Sequence, residues 1–279
     1  MPLLTADTVA YAQVSAMRSL TGNERESVFL TDPQHLPARQ APALGDDGPG
    51  KLCDRLAADP FDPKRASAPV SFAVLEFDKA IPACQAAVKD RPNEPRFKHE
   101  LARALLRGGR GSATADAIEA MRSAAQRGYA AAIGNLGQAY ERGEGVKQNF
   151  SLAARLYQQA SEKGFLPAFS DLASMYWVGI GETVDREKAL ELLRSGVEAG
   201  DPFSNLRLAE LYEQGDGVPK DVQKTFFHYA RSSEIFGQLG DEDNRAIPRA
   251  RLGSLARALS PEQAVRLARE AMDRQPTAQ

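Results

Sequence analysis

Two cysteines, three histidines and one tryptophan in 279 residues leave few groups from which a reactive centre could be built. Cys53 and Cys84 are too few for a thiolate metal site, although a single disulfide would use both. His35, His99 and His228 are scattered, and none has the partner four residues away that puts two imidazoles on one helix face for a metal. No Gly-x-Ser-x-Gly elbow occurs, and a Cys–His nucleophile would need one of the two cysteines as a thiolate beside one of those rings. The net charge of -2 gives no basic excess to draw the chain to nucleic acid or to anionic lipid. No run approaches the roughly 18 apolar residues that span a bilayer, so membrane insertion is not expected. Met1–Leu20 also lacks the basic start and apolar block of an export leader. Gly45-x-x-x-x-Gly50-Lys51 imitates the opening of a phosphate loop, but no strand precedes it and Leu52 stands where a metal-binding hydroxyl belongs. The expectation is a chain with no metal, no cofactor and no catalytic constellation.

What is present is Ala- and Leu-rich and favours helix throughout. Within 1–30 an amphipathic helix is expected, with Val9, Gln13, Ala16, Met17 and Leu20 near helical spacing behind Asp7 as a cap. Its docking is not specified by the pattern. Residues 31–50 carry Pro33, Pro37, Pro42, Pro49, Gly45, Gly48 and Gly50 with almost no large apolar side chain, which is linker composition. Helical periodicity returns in 51–96 and continues almost to the end.

The chain repeats itself. Leu136, Leu172 and Leu208 stand 36 residues apart, as do Tyr140, Tyr176 and Tyr212, then Gly143, Gly179 and Gly215, then Gly145, Gly181 and Gly217. Asn149, Asp185 and Asp221 form a further column, and Leu101 precedes Leu136 by 35, so an earlier copy is readable and the array over 97–240 holds four units. Ile133, Leu136 and Tyr140 at i, i+3 and i+7 mark the buried stripe of a first helix, helix A. The first glycine column stops helix A in a left-handed turn, and Asn149 and its equivalents cap a second, helix B. The unit from Gly179 reads Gly-Ile-Gly-Glu-Thr-Val and is expected to carry two extra loop positions, with a shifted start to its helix B. After Tyr229 the pattern loosens, since no glycine stands at Phe236. Residues 241–279 are expected to supply closing helices, Ala246–Leu259 and Pro261–Met272, with Ser260 as cap. One such pair cannot cover its own apolar face, so the units must stack into an all-α, right-handed α-α superhelix, a solenoid of short helix pairs.

The strings L-G-Q-A-Y-E-R-G-E-G-V at 136–146 and L-A-E-L-Y-E-Q-G-D-G-V at 208–218, with A-S-E-K-G at 160–164 and D-R-E-K-A at 185–189, resemble the Sel-one-like repeat (SLR), a relative of the tetratricopeptide repeat. The resemblance covers roughly Phe97 to Tyr229. Upstream, A-I-P-A-C-Q-A-A-V-K-D-R-P-N-E-P at 80–95 looks like the end of a tetratricopeptide unit, so 51–96 reads as an N-terminal capping unit. Together with C-D-R-L-A-A-D-P-F-D-P at 53–63 it is similar to a segment that precedes SLR arrays in bacterial proteins, often exported or joined to a protease-like domain.

The family resemblance implies a non-catalytic scaffold or adaptor that binds a protein or peptide. On helix A, one step from the core stripe, Asn135, Gln138, Asp171, Ser174, Arg207 and Glu210 are expected to line the concave surface, with Trp177 as an exposed aromatic anchor. The alternatives are a regulatory or recognition arm of a larger enzyme or protease-like system and, third, a hydrolase. A Cys53–Cys84 bridge would join two adjacent helices and, with the resemblance, favours an exported or periplasmic protein. The missing leader favours the cytoplasm instead.

Overall fold

The 36-residue period is realised as a stack of helix pairs. The computed structural model describes residues 48–108 and 112–273, so the helix expected in 1–30 and nearly all of the 31–50 linker lie outside the described residues. Twelve α-helices and no strand occur among the described residues. They are α1 (Pro49–Ala57), α2 (Phe77–Asp90), α3 (Pro95–Gly108), α4 (Ser112–Gln126), α5 (Ala130–Arg142) and α6 (Phe150–Glu162). The second half comprises α7 (Pro167–Val178), α8 (Arg186–Ala199), α9 (Pro202–Gln214), α10 (Val222–Gln238), α11 (Glu242–Ala256) and α12 (Pro261–Asp273). Consecutive helices from α1 to α11 pack on one another, α12 packs back on α10, and α1 also meets α3 and α7 meets α9. This is the nearest-neighbour geometry of an α-solenoid.

The columns do what their chemistry requires. Gly143, Gly179 and Gly215 end helix A at φ of 72°, 73° and 73°, a region in which any side chain strains the backbone. Each donates its N–H back into the helix, to the carbonyls of Ala139, Met175 and Leu211. The loop then closes on itself, because the N–H groups of Asn149, Asp185 and Asp221 donate to the carbonyls of Tyr140, Tyr176 and Tyr212 at 2.9, 2.9 and 3.2 Å. The same three side chains accept from the first free amides of helix B: Leu152 N–H at 3.0 Å, Lys188 N–H at 2.9 Å and Lys224 N–H at 3.0 Å. Leu136, Leu172 and Leu208 are buried in the core, at 5%, 3% and 3% exposure, so the repeated leucines occupy equivalent environments.

Several boundaries differ from expectation. Helix α1 begins at Pro49, inside the segment expected as linker, because proline at the first helical position needs no hydrogen-bonded N–H. Gly50 and Lys51 of the phosphate-loop imitation are thus helical. The third loop has no extra positions. Glu182-Thr183-Val184 take the places of Val146-Lys147-Gln148, and Asp185 starts α8 as Asn149 starts α6. Helix α10 runs through Phe236 and Gly237 to Gln238, and Gly240, at φ 68°, makes the left-handed turn instead. Helix α11 starts at Glu242 rather than Ala246, because the Asp241 side chain accepts from Asn244 N–H. At α12 the cap is as read: Ser260 Oγ accepts from Gln263 N–H at 3.2 Å, and Gln263 Oε1 accepts from Ser260 N–H at 3.0 Å.

Candidate functional site

Between α1 and α2 lies a connection too long to be a simple turn, and loops of that length inside a compact fold are usually functional. Its first part, Ala58 to Val70, is an Ω-loop: the Val70 N–H donates to the Ala58 carbonyl at 2.9 Å, so its ends are tied while its tip projects. Arg103 on α3 holds the base, donating to the Ala57 carbonyl at 2.6 Å and the Val70 carbonyl at 2.9 Å. Directly after the tied end, Asp59-Pro60-Phe61-Asp62 makes a turn in which the Asp62 N–H donates to the Asp59 carbonyl at 3.2 Å. Asp59 is buried, with Oδ2 3.0 Å from His99 Nε2 and 3.5 Å from Arg103 Nε. Burial alone would raise its carboxyl, but Arg103, His99 and the Phe61 N–H together hold it well below the usual carboxylate range. The Tyr129 hydroxyl donates to Asp62. The Phe61 ring reaches across to Phe203 at the start of α9, with centroids 5.4 Å apart.

That loop forms one wall of a groove of about 640 Å³ whose lining includes side chains of α3, α4 and the A helices. Asn135, Gln138 and Arg142 of α5, Asp171 of α7, Phe203 of α9 and Asn244 of α11 form much of the rest. Successive A helices present these side chains because positions next to the core stripe turn inward as the units stack. Of the residues expected on the concave face, the structure brings Asn135, Gln138 and Asp171 together there. Asn135 Nδ2 lies 3.5 Å from Asp59 Oδ2, the outer limit of a hydrogen bond. Asp171 makes no hydrogen bond or ion pair with any described residue, yet Glu141 and Asp201 press on it electrostatically. Burial first, and then those two carboxyls, push it up to about 8, against the single opposing cation, Arg142.

Four expected residues fall elsewhere. Ser174 is exposed and donates to the carbonyl of Ser170 at 2.9 Å, while Arg207 and Glu210 pair with each other at 2.9 Å and do not line the groove. Trp177 is not an exposed anchor: it is 5% exposed, its Nε1–H donates to Asp216 at 3.2 Å, and the Arg186 guanidinium sits 5.0 Å from its ring. The reason is a paired change of columns. In the second and fourth units Glu141 and Glu213 accept from the hydroxyls of Tyr157 and Tyr229, at 2.6 and 2.8 Å. The third unit has Leu193 in the tyrosine column, so a glutamate there would have no donor, and an indole fills the space instead.

Cys53 and Cys84 form a disulfide, Cα atoms 4.7 Å apart, pinning α1 to α2 at the root of the Ω-loop. Neither sulfur is therefore a thiolate. Glu100 Oε2 lies 3.0 Å from the Cys53 sulfur, and burial together with the neighbouring Asp54 raises its carboxyl to about 9. His228 stacks on Tyr212, with its Nδ1 at 3.1 Å from Asn205, and His35 lies outside the described residues. No helix among the described residues is long and apolar enough to cross a membrane.

The wall-forming Asp59, Phe61, Arg103 and Phe203 were not anticipated. Their only trace in the sequence is D-P-F-D-P at 59–63, where two prolines forbid helix and alternate residues carry strong side chains.

Comparison with known proteins matches the Sel1 repeat family over residues 130–165, 170–201 and 202–234. A search of curated proteins found no match. Among solved structures the chain is similar to a Sel1 repeat protein from Oxalobacter formigenes, with 24% identity and a TM-score of 0.51, covering 72% of this chain and 80% of that one. It is also similar to a protective antigen present in uropathogenic Escherichia coli strains that displays an SLR fold, with 24% identity and a TM-score of 0.48, covering 71% of this chain and 41% of that one. With three consecutive units matched and their glycine, leucine and tyrosine columns in equivalent places, residues 130–234 of this chain carry Sel1 repeats.

Proposed function

We propose that this protein is a binding scaffold that holds an extended segment of another protein in the groove between the A helices and the Ω-loop. Sel1 repeat proteins are generally protein-interaction scaffolds. The observation that carries the reading for this chain is that the groove already holds a proline-containing stretch of its own polypeptide, folded in a turn that the Asp62 N–H closes onto the Asp59 carbonyl at 3.2 Å. Asp59-Pro60-Phe61-Asp62 lies there through an ion pair, a tyrosine hydrogen bond and a ring contact, and beside it the Gln138 amide lines the groove next to Asn135, whose Nδ2 reaches Asp59 at 3.5 Å. Side-chain amides both donate and accept, so they suit the alternating N–H and carbonyl groups of an extended backbone.

The reading is tested by affinity capture from the native host with three baits: the wild type, Gln138→Trp to fill the groove, and Gln159→Trp on the exposed side of α6. A partner retained by the wild type and Gln159→Trp and lost with Gln138→Trp is the expected result. A partner that ignores the groove substitution and is lost with the outer one would place binding on the convex face and end this reading.

A further inference from the structure

The groove has a charge pattern that selects among ligands. Among the described residues its basic side chains are Arg103 and Arg142, and both are engaged: Arg103 by Asp59 and two carbonyls, Arg142 by Glu144 at 3.7 Å. Its acidic side chains outnumber them. Asp59 and Glu144 have those partners, and Asp241 is spent capping α11. Asp171 makes no hydrogen bond or ion pair with a described residue, and Arg142 is the single cation acting on it from a distance. It stands on the wall midway along the stack, half-buried, and shares the lining of the groove with Phe165 and Phe203. A carboxyl held near two other carboxyls, without a donor of its own, destabilises the empty protein. Such a group repays its cost when a cation arrives from outside.

We propose that the extended segment held in this groove carries a lysine or arginine whose charged head seats against Asp171. The inference rests on the groove reading given above and adds the chemistry of the ligand. The aromatic walls would cover the aliphatic stem of that side chain while the carboxylate takes its head. The groups facing Asp171 are Glu141 and Arg142 from α5, Asp201 from the turn before α9 and the Tyr157 hydroxyl from α6. Three of these are acids or weak acids, so an incoming cation meets one competing positive charge. Asp171 must ionise to hold the cation, and its carboxyl is raised to about 8, so capture should strengthen as pH rises from 6 to 8.5.

The test uses the whole chain and three fluorescent pools of degenerate undecapeptides, with lysine, glutamine or glutamate fixed at the central position. Wild-type protein is expected to bind the lysine pool at least tenfold more tightly than the other two, increasingly so with pH. Asp171→Asn should erase that preference and at the same time raise the melting temperature of the empty protein, a combination that damage to the fold would not produce. Equal binding of all pools, a preference for glutamate, or a lysine preference that survives in Asp171→Asn would overturn the assignment to Asp171 and leave the groove reading standing. Failure of the wild type to bind any pool at millimolar concentration would overturn both.

Discussion

The contact between Phe61 and Phe203 should make this solenoid behave unlike a one-dimensional stack. In a simple repeat array each unit senses only its neighbours, so damage near one end stays there. Here the Ω-loop starts in the N-terminal unit and packs on α9, and the Phe203 ring in turn meets Phe236 of α10 edge-on at 5.0 Å. Replacing Phe61 by alanine removes a ring that is about half-buried. A fully buried phenylalanine costs about 3–5 kcal/mol on truncation, so half-burial suggests about 2 kcal/mol, a figure that includes the lost ring pair of about 0.5–1.5 kcal/mol. At about 1.4 kcal/mol per factor of ten, opening of the elements that depend on this contact becomes roughly 25-fold more frequent. Native-state hydrogen exchange followed by mass spectrometry reads this directly: Phe61→Ala should speed exchange in peptides from α9 and from the Ω-loop. Leu56→Ala, which trims the core around α1 and α2, should speed exchange there and leave α9 alone. If exchange in 202–214 is unchanged in Phe61→Ala, the loop does not couple the ends of the array and the argument fails.

Leu172→Ala should cost about 2–5 kcal/mol in chemical denaturation, since the side chain is 3% exposed and leaves a cavity between units; an unchanged midpoint would contradict the stripe. Trp177 is the chain's single tryptophan, so its burial predicts blue-shifted emission and weak acrylamide quenching, and ready quenching would return it to the surface. Trp177→Phe should lose about 1 kcal/mol with the hydrogen bond to Asp216, measured by thermal melting. Stability should also fall as pH rises. Asp171 and Glu100 have carboxyls raised to about 8 and about 9, so between the ordinary carboxylate range and those values the folded chain holds more protons than the unfolded one. The penalty for charging them inside the fold is absent below about pH 4 and grows until it is complete near pH 9, whereas Asp59, shifted downward, weakens the fold only in strong acid. Melting temperatures measured from pH 5 to 8.5 should therefore decline, and a rise over that interval would refute the assignment.

The sequence by itself determined the units: where helices stop, where they start and which stripe is buried. Those are local properties. A glycine at φ near 70° and an aspartate that accepts two amides later are set within one loop, and each copy repeats the same solution. Half of the groove was legible in the same way, because the position of Asn135, Gln138 and Asp171 beside the stripe follows from helix geometry alone. Only the tertiary structure decided the other wall. Phe61 and Phe203 are far apart in the chain, and nothing in D-P-F-D-P says which helix will receive its ring. It also decided the fate of Trp177, whose burial depends on a leucine in another helix and an aspartate in the next unit's loop. Periodicity records what each residue does within its own unit, whereas contacts between units depend on how far the stack has curved when they meet.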